Sequence, residues 1–430
     1  MSTELEFVQT IRDHPADDLP RLIFADWLED RGDPRGAFIR TQCALARLGM
    51  NDAGRLALEA RERQLIAEHA SQWLGPLLAM DIDPNDQFPT TKKEAWDLGV
   101  GFSGCPDQPD LAWVRRPSFR RGFLDAAQMK APVFLEHHQT LFRHAPLLRM
   151  VKLEEAALHL GELARCPSLE RIVGLAFSWE EIGPNRLATL AASPYLGNLR
   201  ALRFYRNEIG DLGARALAQA PSLTSLVELD VESDRRYENY LTPRGMEYLT
   251  RNSRLSGLRF LNLQGNALGP SGARILAARP LFGQLRKLDL SDNDLGDAGT
   301  TELARLDRPS QLRHLALHGN SIGDAGAQAI AGSPHMQSLR QLDLSHNAID
   351  TAGCVALATS PYLKGLQRLG LVCNPIGPEG ARALANAAPT FTKLSLLRVE
   401  SSDVYESGYS AELLLQQAFG PRVRVESWMR

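Results

Sequence analysis

The chain has 430 residues, with 48 Lys+Arg against 51 Asp+Glu and a formal net charge of -3. That length exceeds what one compact core holds and points to several domains or an elongated array; 23% charged and 44% apolar residues exclude wholesale disorder. The near-neutral balance excludes bulk attraction to nucleic acid or to an anionic membrane, and no apolar run approaches the ~18 residues of a membrane span.

At the amino end, Glu4 and Glu6 stand where a secretory leader carries bases, so no leader is expected. Leu5, Val8 and Ile11 predict one face of a first helix, ending before His14-Pro15. Asp17-Asp18-Leu19-Pro20 is a helix start, with proline in the first turn and acids at its positive end. Leu22, Ile23, Ala25, Trp27 and Leu28 continue that second helix, and Arg31-Gly32-Asp33-Pro34 stops it. Ala37, Phe38, Cys43, Ala44 and Leu48 support a third, and Arg55 to Trp73 a fourth, with Leu58, Leu65, Ile66, His69 and Trp73 as core positions. Residues 1–80 carry 9 basic and 13 acidic side chains, net -4. Residues 81–118, rich in Asp, Pro and Gly, read as a linker or surface loop. Phe119 to Ala126 is expected as an edge strand and Val133 to Phe142 as a helix, together forming an N-terminal cap over 119–147.

Beyond residue 147 one template repeats. Asn266, Asn293, Asn320, Asn347 and Asn374 are each 27 residues apart. Each closes an L-x-x-L-x-L run and precedes a Gly-x-x-Gly/Ala-x-x-x-Leu stretch, as in Leu258, Leu261, Leu263, Asn266, Leu268, Gly272 and Leu276. Upstream, Leu199, Leu202, Phe204 and Asn207 are in phase. A longer copy at Leu226, Leu229 and Val231 holds five extra residues within 233–240. Ile172, Leu175 and Phe177 form a copy with Glu180 in place of Asn, and Leu148, Val151, Leu153 and Leu158 a shorter first one. Leu394, Leu397 and Val399 begin a last copy that decays, making about ten units over 148–402. The L-x-x-L-x-L stretch is a short strand with Leu inward. The asparagine amide bonds main-chain groups of the turn and ties units together: the ladder is Asn207, Asn266, Asn293, Asn320, Asn347 and Asn374. The glycine-led half is a helix. One unit cannot bury its own leucines, so stacking is obligatory. The fold class is α/β, a horseshoe solenoid with parallel strands on the concave face and helices on the convex face, preceded by a small helical N-terminal domain. Residues 403–430, with the apolar run from Ala411 to Phe419, form a C-terminal cap.

The 27-residue period with helix-length second halves resembles the leucine-rich repeats of the ribonuclease-inhibitor type. The string from Pro15-Ala16-Asp17-Asp18 through Ala25-Asp26-Trp27-Leu28-Glu29 to Arg31-Gly32-Asp33-Pro34-Arg35-Gly36 closely resembles the bacterial repeat-companion domain, which sits ahead of such repeats. The first resemblance implies a fold and a binding surface rather than a reaction, and the second transfers no activity.

Signals for chemistry are weak. Gly99-Val-Gly-Phe-Ser-Gly104 matches G-x-G-x-x-G, but no strand precedes it and Cys105-Pro106 stands after it in place of a helix, so it is rejected as a phosphate loop. Asp26, Glu29, Asp30 and Asp33 read as a solvated face and turn with Arg31 and Arg35 as partners. Cys43, Cys105, Cys166, Cys354 and Cys373 show no C-x-x-C spacing and read as free thiols in a reducing, cytoplasmic setting, with leaderless export left open. The basic residues are 41 Arg and 7 Lys, read as a coding bias rather than a phosphate-binding feature.

On the concave face two clusters stand out. Trp179, Arg203, Tyr205 and Arg206 neighbour Glu228, Asp230 and Glu232, with Tyr237 and Tyr240 in the adjacent insertion; exposed Trp, Tyr and Arg are the types that carry interface energy. His314, His318 and His346 lie near Asp289, Asp292 and Asp343, a set for which an ordinary mixed polar face is favoured over a metal; His318 and Asp343 are added to the partner-binding surface. The expected function is a non-enzymatic protein-interaction scaffold or adaptor in the bacterial cytoplasm, a monomer that binds a protein partner and no nucleic acid, membrane, metal or cofactor. The alternatives are a regulator or inhibitor of a partner enzyme, and an activity in the N-terminal domain around Asp26 and Glu29.

Overall fold

The computed structural model describes residues 3–49, 52–80, 119–233, 240–251, 253–305, 310–400, 411–422 and 424–428. They fall into two compact units, one reaching Ala176 and one starting at Phe177.

The first unit opens with helices α1 (Thr3–Asp13), α2 (Leu19–Glu29), α3 (Arg35–Arg47) and α4 (Arg55–Leu78). Ile11, Phe24, Ala25, Leu28, Ile39 and Cys43 form its buried centre, with Phe7, Leu22 and Trp27 packed against it. Leu5 and Ile23 do not join it, being 72% and 47% exposed. The apolar stripe of α1 runs through Phe7, Val8 and Ile11, and that of α2 through Phe24, Ala25 and Leu28. At 100° per residue, Leu5 and Ile23 are carried round to solvent.

The expected single strand from Phe119 to Ala126 is instead a hairpin and a separate strand after it. β1 (Phe119–Arg120) pairs antiparallel with β2 (Phe123–Leu124), and β3 (Ala126–Lys130) runs parallel to β4 (Met150–Glu154). The turn is made at Gly122, where φ is +90° and a Cβ would overlap Ile39. Its N–H donates to Gln42 Oε1 at 2.6 Å. α5 (Ala131–His144) joins β3 to β4, so a strand–helix rung precedes the first copy read from the sequence, whose strand is β4. In that copy Leu158 is 80% exposed and Leu160 and Leu163 are buried in its place.

The second unit is the repeat array. The strand β5 (Gly174–Ser178) holds the division between the units. After it come β6 (Ala201–Tyr205), β7 (Glu228–Asp230), β8 (Phe260–Asn262), β9 (Lys287–Asp289), β10 (His314–Ala316), β11 (Gln341–Asp343), β12 (Arg368–Gly370), β13 (Leu396–Glu400) and β14 (Arg424–Trp428). From β6 onward each strand pairs parallel with the next in chain order. The pairing keeps the sequence period, with Lys287 opposite His314, His314 opposite Gln341, and Gln341 opposite Arg368. Parallel neighbours need a crossover, and helices such as Gly269–Ala277, Gly296–Ala304 and Asp324–Gly332 supply it. The template leucines, for example Leu285, Leu288, Leu290, Leu295 and Leu303, are buried between strand and helix. The carboxyl end does not decay: after the helix Ala411–Phe419 the chain adds β14 beside β13.

The asparagines hold rung to rung. Asn320 Nδ2 donates to the carbonyl of Leu290 at 2.9 Å, in the preceding unit, and to His318 at 3.1 Å in its own turn. Its Oδ1 accepts from the N–H groups of Asn293 and Leu295 at 3.1 and 3.2 Å. The backward bond recurs from Asn207 to Phe177, Asn266 to Val231, Asn293 to Leu263, Asn347 to Leu317 and Asn374 to Leu344. A second tie passes through aspartates. Asp297 Oδ1, in the first turn of one helix, accepts from the N–H groups of Gly323 and Gly326 at the start of the next, both at 2.8 Å. Asp324 does the same for Asp350 and Gly353. These are helix N-terminal donors with no partner inside their own helix.

Asn320→Leu should lower stability by about 1–3 kcal/mol, because buried turn groups lose their partner. Asp297→Ala should cost about 1 kcal/mol, as for a lost helix cap. Chemical denaturation midpoints check both, and an Asn320→Leu variant as stable as the parent would sink the ladder.

Candidate functional site

The residue just before each ladder position turns the chain out of its strand, and it does so in the left-handed region. Trp179, Arg206, Gly265, Asp292, Gly319, His346 and Cys373 all sit there, with φ between +53° and +72°. Glycine takes this conformation freely, whereas an L side chain costs about 1–2 kcal/mol. Trp179 and Arg206 nevertheless occupy it in adjacent rungs. Their backbones are fixed by neighbours: Trp179 N–H donates to the Tyr205 carbonyl and Arg206 N–H to that of Glu232, both at 3.0 Å. The side chains form one stack. The Trp179 and Tyr205 rings meet edge-on, 5.8 Å between centroids, and the Arg206 guanidinium lies 4.3 Å from the Trp179 centroid and 5.1 Å from that of Tyr205. Trp179 remains 49% exposed.

The acidic side chains expected beside this stack are largely turned to the chain itself. Arg203 Nε donates to Glu228 Oε1 at 2.5 Å, and Glu228 and Asp230 are buried, at 1% and 7% exposure. Asp230 Oδ1 accepts from the Glu232 N–H, and Glu232 Oε2 from Asn262 Nδ2. The same two-residue turn bond is made by Asn262 to Gln264, Asp289 to Ser291 and Asp343 to Ser345. A short polar side chain at a strand end folds back on its own turn, so these positions form a second ladder in which Asp and Asn are interchangeable. Burial pushes the carboxyls of Glu228 and Asp230 above their ordinary range against the pull of Arg203, and pushes Glu232 well up with help from Asp230 and Asp289. Burial takes Asp289 to about 7 and drives His314 down to about 3, where Lys287 adds to the effect.

The other candidates do not gather into a site. Tyr240 is half-buried, and Tyr237, Cys105 and the Gly99–Gly104 string lie outside the described residues. The His318 and His346 rings are 4.4 Å apart, while Asp343 is engaged with its own turn. Among the described residues no group of three or more His, Cys, Asp or Glu side chains is arranged to hold a metal. In the first unit Asp26 and Glu29 both pair with Arg40, Asp33 pairs with Arg35, and Arg31 stacks 3.9 Å over Trp27. Burial raises the Cys43 thiol to about 11 and that of Cys354 to about 12, the opposite of what a nucleophilic thiolate needs. No helix among the described residues is long and apolar enough to cross a membrane.

Parallel strands, crossover helices and an asparagine ladder in a 27-residue phase define a leucine-rich repeat solenoid. A leucine-rich repeat family model matches residues 198–218, 258–277, 285–304, 310–331, 335–358 and 366–385. Those residues carry leucine-rich repeats. A comparison with curated proteins found no match. Among solved structures it is similar to an internalin (inlF) of Listeria monocytogenes, at 14% identity over 67% of this chain and 82% of that one, with a TM-score of 0.34. A second is the leucine-rich repeat ectodomain of the Arabidopsis receptor kinase HAESA in complex with an IDA peptide hormone, at 20% identity, 52% and 37% coverage and a TM-score of 0.31. A third is from the yeast Rad7–Elc1 complex, at 15% identity, 88% and 98% coverage and a TM-score of 0.37. All three likenesses are distant.

The raised Asp289 carboxyl has a sign that can be measured. Its folded-state value of about 7 lies above the unfolded value near ~3.9, so the folded chain binds the extra proton. The stability this contributes is full below about pH 4 and is lost as pH rises through about 7. Asp289→Asn keeps the turn bond, as Asn262 does in β8. The variant should gain stability over the parent above pH 7 and lose that advantage toward pH 4. Parallel thermal melts across that range check this, and a difference constant with pH would refute it.

Proposed function

We propose that this chain is a protein-interaction scaffold or adaptor, and that its partner docks on the concave face of the repeat sheet around Trp179, Tyr205 and Arg206, with Arg203, Tyr240 and His318 at the margin. The observation that carries this reading is the exposed Trp179–Tyr205–Arg206 stack built on the left-handed position. Gly265 and Gly319 use a glycine there, and Asp292, His346 and Cys373 fill it with other side chains. Two adjacent rungs instead hold a half-exposed tryptophan and an arginine stacked on it. The strain is shared with Asp292, His346 and Cys373; what sets this pair apart is the exposed aromatic ring with a guanidinium stacked on it. A stacked Trp–Tyr–Arg group is also the composition of an interface anchor: large rigid area, small loss of side-chain entropy and a charged rim. The acids beneath it, Glu228 and Asp230, act in this reading by holding Arg203 and the turn, so they orient the patch without touching the partner.

The wider reading is of a monomeric cytoplasmic protein of bacterial type. Its repeats are of the ribonuclease-inhibitor kind over 148–402, with caps at 119–147 and 403–430. A repeat-companion domain over 1–80 is joined to them by 81–118. No reaction, metal or cofactor is part of this proposal.

Trp179→Gly separates binding from folding. Glycine suits φ near +59°, so the variant should melt at or above the parent temperature while partner capture by the tagged full chain falls roughly tenfold or more, as for loss of an anchor. Quantitative affinity purification of parent and variant reads this out. Undiminished capture of every partner by a folded Trp179→Gly protein would remove the patch.

A further inference from the structure

We infer that the concave face across β9, β10 and β11 takes a primary ammonium group, carried by a lysine side chain of a protein partner or by a small free amine. Strand pairing sets Asp289, Ala316 and Asp343 side by side in one row, and Lys287, His314 and Gln341 in the row before it. Neighbouring strands lie about 4.8 Å apart, so Asp289 and Asp343 flank a gap one strand wide with only the Ala316 methyl group at its base. Asp343 is turned the other way: a Cβ added at Gly370, on β12, would meet its Oδ1 at 2.5 Å. The gap is left to Asp289. Asp289 and Ala316 are buried, and the half-buried His314, His318 and Gln341 stand around them.

Each of the three strands holds one buried side-chain atom with no hydrogen-bond partner among the described residues: Asp289 Oδ2 on β9, His314 Nδ1 on β10 and Gln341 Oε1 on β11. Turn bonds use the other oxygen of Asp289, which accepts from the Ser291 N–H at 2.9 Å. Buried polar atoms are rarely left unpaired, and these three share one chemistry, since each can accept. Burial drives His314 down to about 3, with Lys287, Arg368 and Arg313 adding to it, so its ring is neutral and offers a bare nitrogen. An ammonium brings three N–H donors, no acceptor and a compact charge, which matches three acceptors around a narrow gap; a planar guanidinium fork spreads its donors more widely. The charges facing the gap divide by row. Asp343 and Asp230 act on Asp289, reinforcing the rise that burial causes. Lys287 acts on His314, but its Nζ lies 5.7 Å from the Phe260 ring, on the β8 side, and it draws Glu228 of β7 downward. The ammonium therefore belongs with the carboxyl row. Because it favours the Asp289 anion, whose proton is held up to about pH 7, binding should strengthen as pH rises through that value.

The test is the melting temperature of the full chain with n-butylammonium chloride, against equal concentrations of n-butanol and of KCl. At pH 8 and about 10 mM the amine should raise the melting point by roughly one to two degrees over either control, and at pH 5.5 that gain should vanish. Asp289→Asn keeps the shape and the turn bond and should abolish the gain, while Gln341→Met, which removes one acceptor at similar size, should reduce it severalfold. The two variants keep the result from depending on one of them folding. A blocked lysine tripeptide that stabilises as the amine does, where its acetyl-lysine form does not, points to a lysine of a protein partner; stabilisation by the amine alone points to a small free amine. No gain from the amine, an equal gain from KCl or n-butanol, or a gain that persists in folded Asp289→Asn overturns the proposal. No residue is shared with the Trp179 stack, so Trp179→Gly should leave the amine effect unchanged, and either reading can fail without the other.

Discussion

The bond from an asparagine amide to the carbonyl of the preceding unit is the interaction on which the array depends. A repeat this short has too little apolar surface to close over its own turn, and the turn between strand and helix leaves buried N–H and C=O groups that no regular ladder satisfies. Asn320 resolves both problems at once. It closes its own turn through His318 and reaches back to Leu290 with the same nitrogen, while its oxygen takes N–H groups of the unit before it. Stacking is therefore a condition for satisfying each turn, not an option added after folding. The aspartates at Asp297 and Asp324 repeat this logic at the helix starts, since each caps the helix of the next unit rather than its own.

That constraint shapes the candidate surface. Because the ladder residue must point inward, the residue before it is forced through a left-handed turn in unit after unit. Most side chains there are a burden, and glycine removes it. The same geometry projects whatever side chain is present out of the sheet face at a fixed pitch. Trp179 and Arg206 exploit consecutive pitches, close enough for the guanidinium to cover the indole. A rigid, repetitive backbone thus makes a pre-arranged side-chain stack that needs little ordering when a partner arrives.

Much of this is legible in the sequence, and the rest is not for identifiable reasons. The strand register comes directly from leucine spacing: Leu288, Leu315 and Leu342 lie side by side because the period is constant. The helices of the first unit are also legible, but not every face, since Leu5 and Ile23 are apolar and exposed. Apolar character alone does not select among neighbouring residues when two stripes are possible. Strand alternation makes the acids of the sheet face outward and open, yet alternation says nothing about a side chain short enough to bond its own turn. Asp230, Asp289 and Asp343 do that, and Asn262 does it with an amide, which is the clue the sequence offers. The strand at Arg424–Trp428 escapes a reading by repeats because it carries no leucine template. Its pairing is set by an edge that β13 leaves open, a tertiary demand with no local signature.

A solenoid surface separates into lines rather than patches, since each template position generates a row. Along one line lie carboxyls that burial and turn bonds withdraw from partners; along another, arginines are set rung upon rung with Ser310 and Ser338 beside them. The chain's small net charge is the cancellation of these lines and of the acidic first 116 residues, which hold 13 basic and 20 acidic side chains against 35 and 31 in the remainder. Electrostatic recognition acts within about a Debye length, ~8 Å at physiological salt. A partner approaching one line therefore meets that line's charge and little of the total. The net charge of the chain is thus a poor guide to what any one row presents, because screening makes the row, not the whole chain, the unit that an incoming group feels.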